Sequence, residues 1–532
     1  MKKRVLAIGL DGFEISVALK MIDDGKLPYL AKMISNSAFF KLDHGDARST
    51  GLAWEHFSTG QDPDSYKKWS AIDFNPDTYS VEQSSTRSRS FTVGLPVKMV
   101  TFDVPYLSLD GSDVLGMSNW GAHDPGVKRS ANPPELLDEI NTRFGAYPAT
   151  KFIYGFVWPS IKKTKQMAND LVEAAKKRSE IIEWLFADRY PDWEIAIAVT
   201  SEHHSGIEAL WYGMDENHPL HHVPSANAAR KGLEDLYVET DKMLASLAKK
   251  FPDVTMLTFS MHGMGANDAD VASMILLPEF LHQRSFGTPF LHPRKEWILS
   301  NGRRMNPNMD WTQAILPRMG RRSPDSFMGI IDRLRQKLGL VEKASPFGAP
   351  VRFDAKQSLS WMPLIHYQLF WPEMEAFAMP AYYEGQIRVN LKGREAQGIV
   401  ALEDYNKVLE KLERDLAGLT DFETGRPVVS RFERPVKNDP MAANSTQCDL
   451  RIVWKNHSVG FKHSETGAIG PVPHRRPGGH TGEFGYATLE NTDLKNGDYG
   501  TRSSFDVVPT ILDLYGLNIG DNSISGRSLL ND

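Results

Sequence analysis

The chain has 532 residues, of which 61 are Lys or Arg and 67 are Asp or Glu, giving a formal net charge of −6 at pH 7. With no long basic run, this charge balance does not indicate a nucleic-acid-binding surface. A hydrophobic fraction of 41% supplies a sizeable core, and the length permits one large α/β domain with insertions or two domains. The one cysteine, Cys448, excludes an internal disulfide and fits a reducing compartment.

The chain begins with a basic cluster and a short apolar run. Lys2-Lys3-Arg4 is similar to the start of a signal peptide, but the run Val5–Leu10 stops at Asp11. No stretch approaches the roughly 20 apolar residues of a membrane-spanning helix. We therefore expect a cytoplasmic protein with no membrane partner, in which the run is a buried strand that delivers Asp11 at its carboxyl end.

Strand-like and helical patterns then alternate along the first half of the chain. Apolar runs predict strands at Val5–Leu10, Lys98–Phe102, Glu194–Thr200 and Val254–Ser260. Helical spacing predicts helices that include Ile15–Met21, Asn169–Ala187 and Ala228–Lys249. This alternation predicts an α/β fold with a mostly parallel central sheet and helices on both faces.

Thr50 precedes an apolar helical pattern made by Leu52, Trp54 and Phe57. A threonine at a helix start is often a plain N-cap. It can also be a nucleophile, because the amino end of a helix favours negative charge and binds phosphate. Both interpretations remain open at this point.

Residues 266–375 lack the alternation and are rich in proline, arginine and tryptophan, so we expect a cap or insertion there, with 1–265 and 376–532 forming the catalytic core. In the returning core, Gln386–Asn390 alternates like a strand and Ala401–Leu416 has helical spacing. Ile452–Lys455 and Val459–Lys462 are expected to form an antiparallel pair. A Pro/Gly-rich loop before His480 is able to bring Arg475 near a phosphate group.

Polar residues that bind metals follow several of the predicted strands. His204 and Glu208 follow the third predicted strand, and His262 follows the fourth. His480 lies in the loop Gly478-Gly479-His480. Together with Asp11, these residues form a candidate metal constellation, with a hydroxyl nucleophile at Thr50.

The chain resembles the alkaline phosphatase superfamily, in its type I phosphodiesterase/nucleotide pyrophosphatase branch, and within it a group of predicted phosphohydrolases or phosphomutases. The resemblance is carried, in the family's order and over nearly the whole chain, by 8–12, 49–54, 59–60, 260–265, 386–394, 479–480, 506–513 and 526–530. It implies an alkaline-phosphatase-like fold.

The resemblance also implies roles for individual residues. Thr50 would be the nucleophile and a metal ligand, and Asp11, His262 and His480 would be metal ligands. The family's Asp and His of the first metal motif fall on His204 and Glu208, so that acid and imidazole have changed places. Two histidines and one carboxylate suit zinc, manganese or ferrous iron.

The second metal motif departs further, because Met261 stands where the family has Asp. A thioether is a poor ligand for a hard cation. A second ion would therefore be held by fewer ligands unless Asp103 or Asp268 contributes, and Met261→Asp is expected to tighten it. A shifted register in which Glu202 and His203 are the ligands also remains open.

We therefore expect a metal-dependent phosphoester hydrolase or phosphotransferase, either a phosphodiesterase or a phosphomonoesterase, with one or two divalent ions and a small phosphorylated substrate. Its oligomeric state, including a homo-oligomer, is left open. One alternative is a repurposed enzyme with a mononuclear His/Glu/His site and other chemistry. Another is a non-catalytic binding protein. A sulfuryl or phosphonate hydrolase of the same superfamily is disfavoured, because the Cys/Ser-x-Pro-x-Arg spacing typical of sulfatases is missing around Ser49 and Thr50.

Overall fold

The computed structural model describes residues 4–84, 89–107, 109, 113–121, 129–152, 160–299, 311–328, 330–331, 334, 359–517 and 524–531. The strands are β1 Val5–Leu10, β2 Ala38–Asp43, β3 Ile72–Phe74, β4 Val81–Gln83, β5 Met99–Phe102, β6 Leu115–Ser118, β7 Ser130–Asn132, β8 Ile195–Thr200, β9 Thr255–Ser260, β10 Gly265–Ala266, β11 Ala376–Met379, β12 Gly385–Val389, β13 Thr420–Asp421, β14 Val429–Glu433, β15 Leu450–Trp454, β16 Phe461–His463, β17 Gly467–Ile469, β18 Gly478–Gly479, β19 Gly485–Glu490 and β20 Gly497–Ser503. The α-helices are α1 Ile15–Asp23, α2 Pro28–Ser35, α3 Ala53–Thr59, α4 Pro63–Tyr66, α5 Leu136–Phe144, α6 Ile161–Trp184, α7 Glu202–Met214, α8 Ala226–Lys250, α9 Leu277–Phe286, α10 Lys295–Leu299, α11 Trp311–Ile315, α12 Tyr405–Ala417 and α13 Val507–Leu514.

The chain divides into two compact units. The first unit comprises 1–67, 86–266 and 476–532, and the second comprises 68–85 and 267–475. The predicted cap, 266–375, makes up only part of the second unit. The second unit also takes in the stretch from 376 to 475, which the sequence pattern assigned to the catalytic core, because that stretch builds a sheet of its own.

The first unit contains a nine-stranded sheet in the order β20-β2-β19-β9-β1-β8-β5-β6-β7. Neighbouring strands run parallel except that β19 is antiparallel to β9 and β2, and β7 is antiparallel to β6. All six residues of β1 are buried, which is typical of a central strand covered on both faces. The predicted mixed α/β class with a mostly parallel central sheet is therefore confirmed.

The central strands were readable from sequence because buried parallel strands form continuous apolar runs. The four predicted strands all form, as β1, β5, β8 and β9. Each begins at most one residue from its predicted start and ends at its predicted last residue. α8 covers the predicted stretch Ala228–Lys249, whereas α6 ends at Trp184 and a π-helical turn, Leu185–Arg189, continues past the predicted end at Ala187. α6 also begins earlier than predicted, where the Ser160 side chain accepts a hydrogen bond from Lys163 N at 3.2 Å. Among the described residues, no helix is both long and apolar enough to cross a membrane.

The second unit is built on antiparallel pairing. Its larger sheet has the order β11-β12-β15-β14, and a smaller one has the order β13-β16-β17. The predicted pairing of Ile452–Lys455 with Val459–Lys462 is wrong, because β15 pairs with β12 and β14, whereas β16 pairs with β13 and β17. Two short strands close in sequence suggested a hairpin, but strand periodicity does not identify the partner strand.

Candidate metal centre

Three adjacent parallel strands bring their following residues to one edge of the first unit's sheet. β8, β1 and β9 are neighbours, so the residues after their carboxyl ends meet there. Asp11 follows β1, His204 lies in the first turn of α7 after β8, and His262 follows β9. β19 runs antiparallel to β9, so the segment that enters β19, with His480, reaches the same edge.

Two glycines allow the segments of this edge to approach one another closely. Gly12 has a φ of +71°, and a Cβ atom there would lie 2.4 Å from the Cα of His204. A Cβ atom at Gly478 would lie 2.1 Å from the carbonyl oxygen of Ile207. Only glycine fits such contacts. The motif Asp11-Gly12 therefore seats Asp11 against the start of α7, and Gly478 seats the His480 loop against the same helix.

His204, Glu208 and His480 form a compact group. His204 and Glu208 are four residues apart on α7 and share one face of the helix. The distance from His204 Nε2 to Glu208 Oε1 is 3.1 Å, and that from His204 Nε2 to His480 Nε2 is also 3.1 Å. One donor atom from each residue lies within 4.8 Å of the others, and all three side chains are buried. In the described part of the chain, no other cluster of His, Cys, Asp or Glu meets this criterion.

The hydrogen bonding of His204 determines what the group requires. Its Nδ1 lies 3.0 Å from Asp11 Oδ2, and because a carboxylate can only accept, Nδ1 carries the proton. Nε2 of His204 is then the ring nitrogen that faces the Glu208 carboxylate and Nε2 of His480. Burial lowers the pKa of His204, but Asp11 and Glu208 outweigh it and raise that pKa to about 10, which shows that this group of donors favours a positive charge at Nε2.

The spacing of the group fits a transition metal. Two donors that each lie about 2.0–2.1 Å from a tetrahedral zinc ion are separated by roughly 3.3 Å. The two observed separations of 3.1 Å are close to that value. The bond from Asp11 to the far nitrogen of His204 has the form of the carboxylate–histidine–metal arrangements that fix an imidazole's tautomer and orientation. His204, Glu208 and His480 could therefore hold one ion, with Asp11 supporting His204.

His262 lies beside this group. Its ring centroid is 4.9 Å from that of His480. Nδ1 donates to Gly263 O at 3.0 Å, which leaves the lone pair on Nε2. Burial lowers the pKa of His262 from its ordinary value and keeps the ring neutral near pH 7. A neutral imidazole with a free lone pair is the form that binds a metal.

Met261 and the two acids that could replace its missing carboxylate, Asp103 and Asp268, each have other neighbours. Met261 is 3% exposed and belongs to a cluster of apolar side chains that includes Trp54 and Phe259. Asp103 is paired with Arg178 at 2.8 Å. Asp268 belongs to the second unit, where its Oδ1 lies 2.7 Å from His457 Nδ1.

Glu202 and His203, the ligands of the shifted register, make other contacts than those of His204, Glu208 and His480. Glu202 receives hydrogen bonds from Arg178 Nε at 3.0 and 2.9 Å, in a fully buried ion pair. His203 is packed edge-on against Phe13 and Tyr237, with ring centroids 5.0 and 4.7 Å away. Burial lowers the pKa of His203 to about 3.

Thr50 is the last residue of a 3-10 helix, Gly45–Thr50, and α3 begins three residues later at Ala53. Its hydroxyl donates to Ala47 O at 2.7 Å and accepts from Leu52 N at 3.1 Å. Its side chain thus stabilises the turn that leads into α3, although the N-cap position itself is Leu52. Thr50 is 4% exposed.

The two arginines of the loop before His480 have different contacts. Arg475 belongs to the second unit, where it pairs with Asp270 and lies over the ring of Trp361 at 5.1 Å. Arg476 belongs to the first unit, and its Nη1 donates to Glu208 Oε1. The arginine that meets the candidate metal group is therefore Arg476, which sequence reasoning missed because the two neighbours are equivalent in the sequence pattern.

A pair of buried histidines near the Thr50 turn also escaped sequence reasoning. His44 Nε2 lies 3.1 Å from His56 Nδ1, and His44 Nδ1 lies 2.5 Å from Ser504 Oγ. Arg48, in the same turn, donates to Gly482 O at 3.1 Å and lowers the pKa of His262. These residues come from three distant segments, so no local spacing could have indicated them.

Comparison with known proteins gives matches among solved structures alone: no family model and no curated protein matches the chain. Phosphonoacetate hydrolase from Sinorhizobium meliloti 1021, in complex with phosphonoformate, is 12% identical with a TM-score of 0.48, covering 97% of this chain and 96% of that one. The alkaline phosphatase PafA is 11% identical with a TM-score of 0.48, covering 100% and 99%.

A third match is an inactive variant of murine ectonucleotide pyrophosphatase/phosphodiesterase 5 in complex with AMP, which is 11% identical with a TM-score of 0.42, covering 99% of this chain and 98% of that one. All three proteins are members of the alkaline phosphatase superfamily, which the sequence motifs resemble. At such identities and scores, these matches assign no reaction, substrate or ligand to the chain.

Proposed function

We propose that the protein is a metal-dependent phosphoester hydrolase whose principal ion is held by His204, Glu208 and His480. The observation that carries the proposal is the convergence of three donor atoms at the carboxyl edge of a parallel sheet: His204 Nε2 lies 3.1 Å from both Glu208 Oε1 and His480 Nε2, and all three lie within 4.8 Å of one another. Two imidazoles and one carboxylate suit zinc, manganese or ferrous iron. His262 is a further candidate ligand, and Asp11 holds the ring of His204.

A bound divalent ion would supply Lewis-acid stabilisation of charge on a phosphoryl group. In this proposal the Thr50 hydroxyl is the nucleophile. The hydroxyl gives up its proton to solvent, a bond forms from its oxygen to phosphorus as the bond to the leaving oxygen breaks, and the leaving oxygen takes up a proton from solvent. Water then hydrolyses the phosphothreonine. To attack, the hydroxyl must give up its hydrogen bond to Ala47 O.

The experiment that tests this proposal is elemental analysis of the purified protein, followed by assays on aryl phosphate mono- and diesters before and after chelation. We expect close to one tightly bound transition metal per chain, and turnover that is lost in chelator and restored by zinc or manganese. Full turnover in chelator by a metal-free protein would contradict the proposal.

A second candidate is a repurposed mononuclear metal enzyme whose native reaction is not phosphoryl transfer. It is favoured by Met261, a buried thioether in an apolar cluster, which stands where the resembling family has a carboxylate. This candidate predicts a bound metal but background turnover of every phosphoester tested. The same two measurements therefore separate it from the hydrolase.

A further inference from the structure

The Arg476–Glu208 pair lies inside the candidate metal group. The side chains of Glu208 and Arg476 are 1% and 8% exposed, so this is a buried ion pair. A buried carboxylate requires a cationic or hydrogen-bonding partner, because an isolated charge is costly away from water. The same Oε1 atom of Glu208 that receives the guanidinium lies 3.1 Å from His204 Nε2. Arg476 and a bound ion would therefore compete for the same carboxylate oxygen.

The position of Arg476 is set by its loop. It lies two residues before Gly478, which packs against the carbonyl of Ile207 in α7. The next residue, Gly479, pairs with Gly265 in the two-stranded β10–β18 sheet. The loop that delivers His480 thus holds Arg476 beside α7 as well. The backbone of Arg476 is therefore held beside α7 whichever group its guanidinium binds.

We propose that Arg476 is a substrate-anion residue that occupies the cation's place in the metal-free protein: an ion bound at His204, Glu208 and His480 releases its guanidinium from Glu208, and the guanidinium then binds a phosphoryl oxygen of the substrate. This inference rests on the proposed function. Arginine suits the role because its planar fork can donate two parallel hydrogen bonds to a phosphoryl group and keeps its charge at every working pH.

The proposal predicts effects of opposite sign on two binding equilibria. Removing the guanidinium removes a competitor and a positive charge, so Arg476→Gln should bind Zn²⁺ more tightly, by about three- to tenfold, in competition with a chromophoric chelator. The zinc-loaded variant should bind inorganic phosphate about tenfold more weakly by calorimetry. Arg475→Gln is the matched control, because its partner is Asp270, and both affinities should stay within about twofold of wild type.

Arg476→Lys keeps the charge but not the fork, and it guards against a variant that fails to fold. It should bind zinc like wild type and phosphate more weakly. The proposal is overturned if Arg476→Gln binds zinc more weakly, because the arginine would then be holding Glu208 in place for the ion. Phosphate affinity that is unchanged in both Arg476 variants overturns it as well. Arg48→Gln removes another arginine of the first unit, and a phosphate affinity that falls only in that variant would assign the anion to Arg48 instead.

The same titrations distinguish failure of this inference from failure of the proposed function. A wild-type protein that binds no zinc contradicts the proposed function, and the inference falls with it. If His480→Ala abolishes zinc binding but the Arg476 variants leave phosphate affinity unchanged, the proposed metal centre stands. Only the role of Arg476 is then overturned.

Discussion

Two sets of predicted ligands at one sheet edge have different environments. His204, Glu208 and His480 converge, with His204 Nε2 3.1 Å from a donor atom of each of the other two residues. The set expected to hold a second ion was Asp11, His262 and Thr50: the ring of His262 lies 4.9 Å from that of His480, and the Thr50 hydroxyl bonds within its own turn. Met261, which stands where the resembling family has Asp, lies in an apolar cluster. Asp11, assigned to the second set, directs a carboxylate oxygen to His204. The two sets therefore differ in their surroundings, and each can be tested by its own substitution.

The largest expected effect tests whether the Thr50 turn still has a chemical role. Thr50→Ala should lower phosphoester turnover by at least about a thousandfold if the hydroxyl is the nucleophile. The cost in unfolding free energy should be only about 1 kcal/mol, because two local hydrogen bonds are lost. Steady-state kinetics and thermal unfolding measure the two effects, with Thr50→Ser as the conservative control. Near-normal turnover in Thr50→Ala would show that Thr50 is not the nucleophile.

The first set is tested by His480→Ala. Losing one of three donors should weaken zinc binding by about a hundredfold or more. His474→Ala, in the same loop, is the matched control and should leave zinc affinity within about twofold of wild type. Chelator competition measures both variants. An unchanged zinc affinity in His480→Ala would show that the ion is bound elsewhere.

The second set is tested by Met261→Asp. From sequence, the restored carboxylate is expected to tighten a second ion; the apolar surroundings of Met261 favour the opposite outcome. We expect no second zinc equivalent and a loss of about 2–4 kcal/mol in unfolding free energy, because the carboxyl group is buried without a partner. Met261→Leu, the size-matched control, should cost less than about 1.5 kcal/mol. A second equivalent of tight zinc in Met261→Asp would restore the two-ion interpretation.

The smallest expected effect concerns pH and the histidine pair near the Thr50 turn. Burial lowers the pKa of His44 well below its ordinary value of 6.5, and His56, His262 and Arg48 lower it further. The unfolded chain therefore binds the proton more readily than the folded chain. The stability that neutral His44 contributes is present above pH 6.5 and decreases as the pH falls below it.

The corresponding measurement is the unfolding midpoint of wild type and His44→Gln between pH 8 and pH 5. The wild-type midpoint should decrease more steeply below about pH 6.5 than that of the variant, which has no imidazole to protonate at this position. His222→Gln, at an exposed histidine in the loop between α7 and α8, is the control for general acid effects. Identical slopes in His44→Gln and wild type would contradict a buried neutral His44.

Much of the first unit could be predicted because its signals are local. A buried parallel strand is a continuous apolar run, and α8 follows helical spacing, so β1, β8 and β9 were found from residue patterns. The order of those strands then brings the residues after them to one edge. The candidates His204, Glu208 and His480 could therefore be named from sequence, although their convergence could not be measured there.

The remaining features depend on contacts between distant segments. Arg475 and Arg476 are adjacent and chemically alike, and only the backbone course decides which one meets Glu208. His44 contacts both His56 and Ser504, which lies 460 residues further along the chain. In the second unit, β15 and β16 are close in sequence but join different sheets. Their partners could not be predicted, because backbone hydrogen bonding is the same for every strand and does not specify which strand will pair with it.

The class of the main sheet, the residues able to bind a metal, and Met261 in the place of the resembling family's Asp can all be read from the residues, because side-chain chemistry and local periodicity are properties of the sequence. Tertiary structure decided which candidates share an ion-sized space, which carboxylate supports His204, and which arginine lies inside the group. These outcomes depend on angstrom-scale distances between segments up to hundreds of residues apart, such as His204 and His480, and only the packing of the chain sets those distances.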